Sequence, residues 1–217
     1  MTFLACSGGS ASESQVIDAV WGGRAIERTT LWNRISRARS VLRDALPARE
    51  QGSTTLRLAP DVVTGVELLR GAFDDSARLS SHPATERLRQ ALTLVGGVPF
   101  DAPGYDWAYE RQHYADACEL VERCTLRLVD LALDDDDLTT AREAVSAGLR
   151  ALRINEPLYR ARMRIEAQGG NVAGVRQVYD ELVNLLAELD DGDGAYLPAP
   201  ATEALRDELL GPRLKSA

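Results

Sequence analysis

The later part of the chain repeats its pattern of apolar residues every 34 positions, and this periodicity limits the folds open to it more than any other feature. When the sequence is aligned with itself at a shift of 34 residues, polar residues at helix starts align with each other, and so do apolar or small residues. The aligned pairs are Asp137 with Asn171, Ala141 with Val175, Val145 with Tyr179, Leu149 with Val183, Leu152 with Leu186, Val129 with Met163 and Leu133 with Ala167. A fixed period of this length is typical of helix pairs that bury a continuous core only when they stack. The sequence therefore predicts a helical array.

Glycine and proline clusters divide the rest of the chain into helices and leave little room for sheet. The helices expected beyond residue 60 cover about 65–79, 83–95, 105–133, 138–152, 156–168, 172–189 and 201–210. Residues 54–58 alternate polar and apolar β-formers, so a strand or short β-hairpin is expected near 53–58. The predicted fold class is mainly α.

Two further helices are expected near the N-terminus. Ser12 followed by Gln15 has the spacing of a capping box, which predicts a helix over 12–21 that Gly22-Gly23 ends. A second helix is expected over 27–46, before Pro47. Its apolar residues recur at intervals of three or four and form one core-facing stripe: Leu31, Ile35, Ala38, Leu42 and Leu46.

Composition excludes several classes of protein. With 45% hydrophobic and 27% charged residues, the chain does not resemble a disordered protein. No apolar run approaches the roughly 18 residues that span a bilayer, and the first residues lack the charged n-region of a secretory signal. We therefore expect a cytoplasmic protein, with no membrane contact from this segment.

The cysteines and histidines do not have the spacing of a metal site. The chain has three cysteines, Cys6, Cys118 and Cys124, and two histidines, His82 and His113. Cys118 and Cys124 point about 240° apart on a helix, so they are expected to be small buried residues. Residues 190–194 resemble a calcium loop but fail its pattern in every register. No phosphate loop, nucleophile elbow or catalytic triad is present, so no enzyme activity, catalytic residue, metal or other cofactor is expected.

Charge is unevenly distributed along the sequence. Residues 1–60 contain eight arginines and five acids, a net charge of +3, although the whole chain carries −8. The remaining residues therefore carry −11. A positive segment joined to an acidic body indicates nucleic-acid contact at one end only.

The predicted helix over 27–46 has a polar face opposite its apolar stripe. Small polar side chains and arginines suit a helix that enters the DNA major groove, where Asn and Arg pair with base edges. Asn33 and Arg37 are expected nearest the bases, whereas Arg28, Arg43 and Arg57 are expected to contact phosphates. The alternative is a solvated helix face. The full set of candidate DNA-binding residues is Arg28, Thr29, Asn33, Ser36, Arg37, Ser40, Arg43 and Arg57.

Aromatic residues are concentrated in one short segment. Five of the twelve in the chain lie within 100–114: Phe100, Tyr105, Trp107, Tyr109 and Tyr114. Such a cluster suits base stacking or a ligand pocket, but packing within the core is the favoured interpretation.

Several motifs, in order along residues 12–210, resemble the bacterial transcriptional activator domain family. They are Ala19-Val20-Trp21-Gly22, residues 33–39 with Leu42-Arg43, residues 90–100, Tyr105-Asp106-Trp107-Ala108, residues 137–142, Leu158-Tyr159-Arg160, Gly170-Asn171 and residues 180–189. The last two stretches most closely resemble the versions attached to membrane-anchored LysM proteins.

The resemblance implies two domains. Residues 1–60 would form a winged helix-turn-helix and residues 61–217 a tetratricopeptide-like bacterial transcriptional activator domain. Residues 1–9 supply only the tail of the family's first helix, so the winged helix is expected to be N-terminally incomplete.

Two functions follow as hypotheses. The first is a DNA-binding transcriptional regulator, or the regulatory fragment of one, whose helical repeats serve association or effector response. The second is a protein interaction or effector-binding module of a larger protein, membrane-anchored or not, without autonomous DNA binding. The expected partners are DNA in the first case and, in either, a protein partner or a second copy bound through the repeats.

Overall fold

A computed structural model describes residues 1–48, 52–189 and 196–211. These residues form eleven α-helices and one two-stranded sheet, which confirms the mainly α class. The helices are α1 (Thr2–Cys6), α2 (Glu13–Trp21), α3 (Arg28–Leu42), α4 (Gly65–Ser76), α5 (Ser81–Leu92), α6 (Asp106–Glu110), α7 (His113–Asp134), α8 (Leu138–Ala151), α9 (Glu156–Gln168), α10 (Val172–Ala187) and α11 (Pro200–Leu210). The strands are β1 (Ser10–Ser12) and β2 (Thr55–Arg57). In these described ranges no helix is long and apolar enough to cross a membrane.

The chain divides into two compact units. Unit 1 comprises residues 1–67 and 99–117, and unit 2 comprises residues 68–98 and 118–217. This division differs from the domains 1–60 and 61–217 expected from the resemblance, because residues 99–117 belong with the N-terminal segment.

The sheet of unit 1 pairs two strands that are distant in the sequence. β1 and β2 are antiparallel, with Ala11 opposite Leu56. Both of these side chains are buried, whereas Arg57 is exposed. The prediction of a strand or short hairpin near 53–58 is therefore confirmed in its first alternative, a strand. The partner of β2 is residues 10–12, a strand that was not predicted from the sequence.

Helix α2 begins as the sequence predicts. The Gln15 backbone N–H donates to Ser12 Oγ at 3.2 Å, and the Ser12 backbone N–H donates to Gln15 Oε1 at 2.9 Å. These two bonds form the predicted capping box. Gly22 ends the helix in the left-handed conformation, as expected for a C-cap glycine.

Two predicted helices are interrupted. The helix expected over 27–46 ends as α3 at Leu42, where Arg43 takes a φ of 46° and a 3-10 turn over Arg43–Ala45 follows. The helix expected over 105–133 is divided into α6 and α7, because Gln112 has a φ of 64°. Right-handed helix does not continue through a residue with positive φ, so the span 27–46 was too long and the span 105–133 is two helices instead of one.

The aromatic segment packs in the core of unit 1. Trp107 is 4% exposed, and its ring lies edge-on to Phe3 with the centroids 5.2 Å apart. Phe100 and Tyr105 contact the same ring at 5.8 and 5.9 Å. These contacts confirm packing for this part of the cluster.

Two turns of unit 2 that are 34 residues apart have the same backbone hydrogen bond. The Asp137 N–H donates to the Ala132 carbonyl at 2.7 Å, and 34 residues later the Asn171 N–H donates to the Glu166 carbonyl at 2.8 Å. Each turn passes through one left-handed residue, Asp136 with a φ of 57° or Gly170 with a φ of 72°. The repeat predicted from apolar spacing therefore extends to the backbone of the turns. The calcium-like stretch 190–194 lies outside the described residues.

The repeated caps give the first prediction. Asp137 Oδ1 accepts the Thr140 N–H at 3.0 Å, and Asn171 Oδ1 accepts the Gly174 N–H at 2.9 Å. We expect Asp137→Ala and Asn171→Ala each to lower the free energy of unfolding by about 1 kcal/mol in urea denaturation. The exposed neighbour Asp134 is the control, since its change to Ala is expected to cost less than about 0.5 kcal/mol. Equal costs for Asp134→Ala and Asp137→Ala would contradict the cap.

Acid distinguishes the two caps. Hydrogen bonds from the Thr140 side chain and backbone lower the pKa of Asp137 in the folded protein. A lowered folded pKa gives stability that is present above the unfolded pKa of about 3.9 and is lost as the pH falls through the folded value. We therefore expect the cost of Asp137→Ala to shrink below about pH 4, whereas the cap bond of Asn171 persists there, because an amide does not titrate. Asn171 Nδ2 also donates to Glu166 Oε2 at 2.7 Å, so Asn171→Ala should lose only the part of its cost that depends on this carboxylate.

Candidate nucleic-acid interface

Helix α3 is anchored in unit 1 by one side. Leu31 and Ile35 are 1% and 6% exposed and belong to the core that includes Leu56 and Trp107. Trp32, Ala38 and Leu42 are partly buried against the same core. This packing fixes the rotation of α3 about its axis, and so determines which side chains face solvent.

The predicted polar face of α3 is exposed as expected. The residues predicted on this face that belong to α3 are all exposed: Thr29, Asn33, Ser36, Arg37 and Ser40. Arg28, at the first position of the helix, is exposed as well but lies about 180° from Arg37 around the helix. Two hydroxyls already donate locally: Ser40 Oγ to the Arg37 carbonyl at 2.8 Å and Thr29 Oγ1 to Glu27 Oε2 at 3.3 Å. Asn33, Ser36 and Arg37 form no side-chain hydrogen bond within the described residues, so their donors are available to a partner.

The arginines of the predicted set are in different situations. Arg28 Nε lies 3.7 Å from Glu13 Oε2, so a phosphate would compete with that carboxylate. Arg37 and Arg57 are exposed and form no ion pair within the described residues. Arg43 lies beyond the end of α3, in the 3-10 turn, and is not on the helix face where the sequence analysis placed it.

Two exposed residues on the same side of α3 were not predicted. Val41 is 79% exposed, and Thr30 is exposed as well. At about 100° per residue Val41 lies between Arg37 and Arg34 around the helix. Val41 is apolar and so was not among the predicted polar contacts, although the helical period alone gives its position on the exposed side.

Helix α3 carries a net positive charge, whereas unit 1 as a whole does not. Helix α3 contains four arginines and no acid. The whole of unit 1 contains nine arginines and eleven acids, a net charge of −2, because residues 61–67 and 99–117 add six acids. The positive charge predicted for residues 1–60 is thus concentrated on α3 and β2.

In the ranges that the structure describes, no group of three His, Cys, Asp or Glu side chains is placed to hold a metal ion. Comparison with known proteins adds no assignment, since no family model and no curated protein matches the chain.

Proposed function

We propose that this chain is a DNA-binding transcriptional regulator, or the regulatory part of one, in which α3 enters the major groove. The observation that carries the proposal is the outward face of α3, where exposed Asn33 and Arg37 stand on a helix whose other side is fixed in a core. Asn pairs bidentately with adenine and Arg with guanine in that groove.

The surrounding elements support the same proposal. The order α1–β1–α2–α3–β2 is compatible with a winged helix-turn-helix, in which exposed Arg57 on β2 would contact the phosphate backbone. In unit 2 the repeated turns fit a tetratricopeptide-like array, which would serve association or effector response.

The test begins with selection of a duplex from a randomised library, followed by fluorescence anisotropy over a range of salt concentrations. We expect Arg37→Ala to weaken binding to the selected duplex by about 1–3 kcal/mol and to reduce discrimination against a scrambled duplex. Arg57→Ala should weaken both duplexes equally and lower the salt slope by about one.

Arg176→Ala serves as the control, because Arg176 is exposed on α10 in unit 2 and should not affect DNA binding. Equal, sequence-independent losses for Arg37→Ala and Arg57→Ala would contradict base reading by Arg37. If no duplex shows salt-dependent binding, DNA binding itself is contradicted.

A groove in unit 2 favours the second function, an interaction module. The groove has a volume of about 600 Å³. Its lining includes Leu149, Leu185, two glutamates (Glu166 and Glu181) and four arginines (Arg142, Arg150, Arg153 and Arg162). Three of the arginines pair with glutamates at 2.8–3.1 Å, whereas Arg150 is exposed and forms no ion pair in the described part of the chain. An apolar floor with excess positive charge suits an acidic segment that also presents apolar side chains.

A labelled peptide of alternating glutamate and leucine tests the groove. We expect Arg150→Glu to weaken its binding several-fold in fluorescence anisotropy, because the free cation becomes a like charge. Arg176→Glu makes the same charge change outside the groove and should leave the affinity unchanged. Equal losses for both variants would indicate attraction to overall charge and would exclude the groove as the site.

A further inference from the structure

A cavity penetrates the core of unit 1 beneath α3. It has a volume of about 300 Å³, and eleven of the twelve side chains that line it are apolar. They come from α1, α2, α3, β2 and the segment next to them, and include Phe3, Val16, Leu31, Ile35 and Leu56. Protein interiors rarely contain voids larger than one water molecule, so an opening of this size is unusual in a small core.

The volume is adequate for a small ligand. Sites for small molecules begin at about 300 Å³, and an apolar cavity of about 150 Å³ already holds benzene. The lining carries no uncharged polar side chain that would order water. Apolar walls of this kind favour an apolar occupant over solvent.

The twelfth lining residue supplies a charge. Arg34 is exposed, lines the cavity and forms no ion pair within the described residues. Val20, also in the lining, is 44% exposed, so Val20 and Arg34 mark the mouth. A guanidinium beside an apolar chamber matches a molecule with an apolar body and an anionic head, and its planar fork fits a carboxylate through two hydrogen bonds.

We propose that this cavity binds a small apolar monocarboxylate, with the hydrocarbon body against Leu31 and Ile35 and the carboxylate on Arg34. The proposal does not depend on DNA binding. It does place the ligand on the inner side of the helix whose outer side carries Asn33 and Arg37.

Isothermal titration calorimetry of the full chain with octanoate and 1-octanol tests the proposal. The two probes share one hydrocarbon body and differ in the head group. We expect octanoate to bind about tenfold or more tightly, as for a hydrogen bond to a charged group. Arg34→Gln should remove this preference and leave octanol binding unchanged. Arg24→Gln, a change of another exposed arginine of unit 1 outside the lining, should preserve the preference.

Ala38→Met is a second variant that places a longer side chain at the cavity wall. It should abolish binding of both probes while circular dichroism stays that of the native protein. The proposal is overturned if octanoate and octanol bind equally, if Arg24→Gln acts like Arg34→Gln, or if neither probe binds at millimolar concentration. If the unmodified chain binds no DNA but still prefers octanoate, the proposed function is contradicted and the cavity proposal stands.

Discussion

Leu31→Ala is expected to lower the free energy of unfolding of unit 1 by about 2–5 kcal/mol. Leu31 is 1% exposed and packs in the core that also contains Ile35 and Trp107, so its truncation removes apolar contact and enlarges a region already next to a cavity. Where the surrounding side chains cannot move in to fill the space of the missing atoms, the loss of unfolding free energy is largest. Urea denaturation followed by Trp fluorescence measures the effect.

Thr30→Ala is the matched control on the same helix. Thr30 is exposed, and surface changes of this kind stay within about 0.5 kcal/mol. Hydrogen exchange locates the effect, because peptides from α2 and α3 should lose protection in Leu31→Ala before peptides from α8–α10 do. Equal destabilisation by the two variants would show that Leu31 is not on the core side of α3. The assignment of Asn33 and Arg37 to the outer side would then be wrong as well.

The elements predicted correctly from the sequence are those set by local interactions. The capping box needs only Ser12 and Gln15, three residues apart, and both bonds are present. The repeat needs only two copies of the same spacing, and the turns at Asp137 and Asn171 reproduce it. Apolar periodicity placed Leu31 and Ile35 in a core because a helix has one side that packs.

The elements that were missed depend on distant contacts or on unusual backbone. Strand β1 is Ser-Ala-Ser, which has no β-propensity of its own and becomes a strand only because β2 pairs with it. Gln112 and Arg43 adopt positive φ although neither is a glycine. The residue type at these two positions therefore does not predict that a helix ends there.

The candidate site shows the same limit. Its exposed face follows from the helical period, and the exposure of Asn33 and Arg37 was predictable for that reason. The pairing of Arg28 with Glu13 and the cavity beside Arg34 require the packing of α3 on α1 and α2, which periodicity does not encode.

Gly148→Val is expected to destabilise unit 2 by about 3 kcal/mol, at the upper end of the cost of overpacking a core. A Cβ at Gly148 would lie 2.7 Å from Thr125 Oγ1 and 2.9 Å from Leu158 Cδ1, so α8 approaches both α7 and α9 too closely for any side chain. Thr125 and Leu158 are fully buried and have little room to shift. Thermal or urea denaturation measures the loss.

Gly71→Val provides the matched control, because Gly71 is also helical but a Cβ there meets nothing within 4 Å. Valine and glycine differ by only a few tenths of a kcal/mol in helix propensity, so this control should be nearly neutral and the difference between the variants should be steric. Thr125→Ala removes the two closest Thr125 atoms and should recover part of the loss when it is combined with Gly148→Val. Equal effects at Gly71 and Gly148, or no coupling to Thr125, would show that α7 and α8 are not in close contact, and the stacked arrangement of the repeat would then be wrong at its first helix pair.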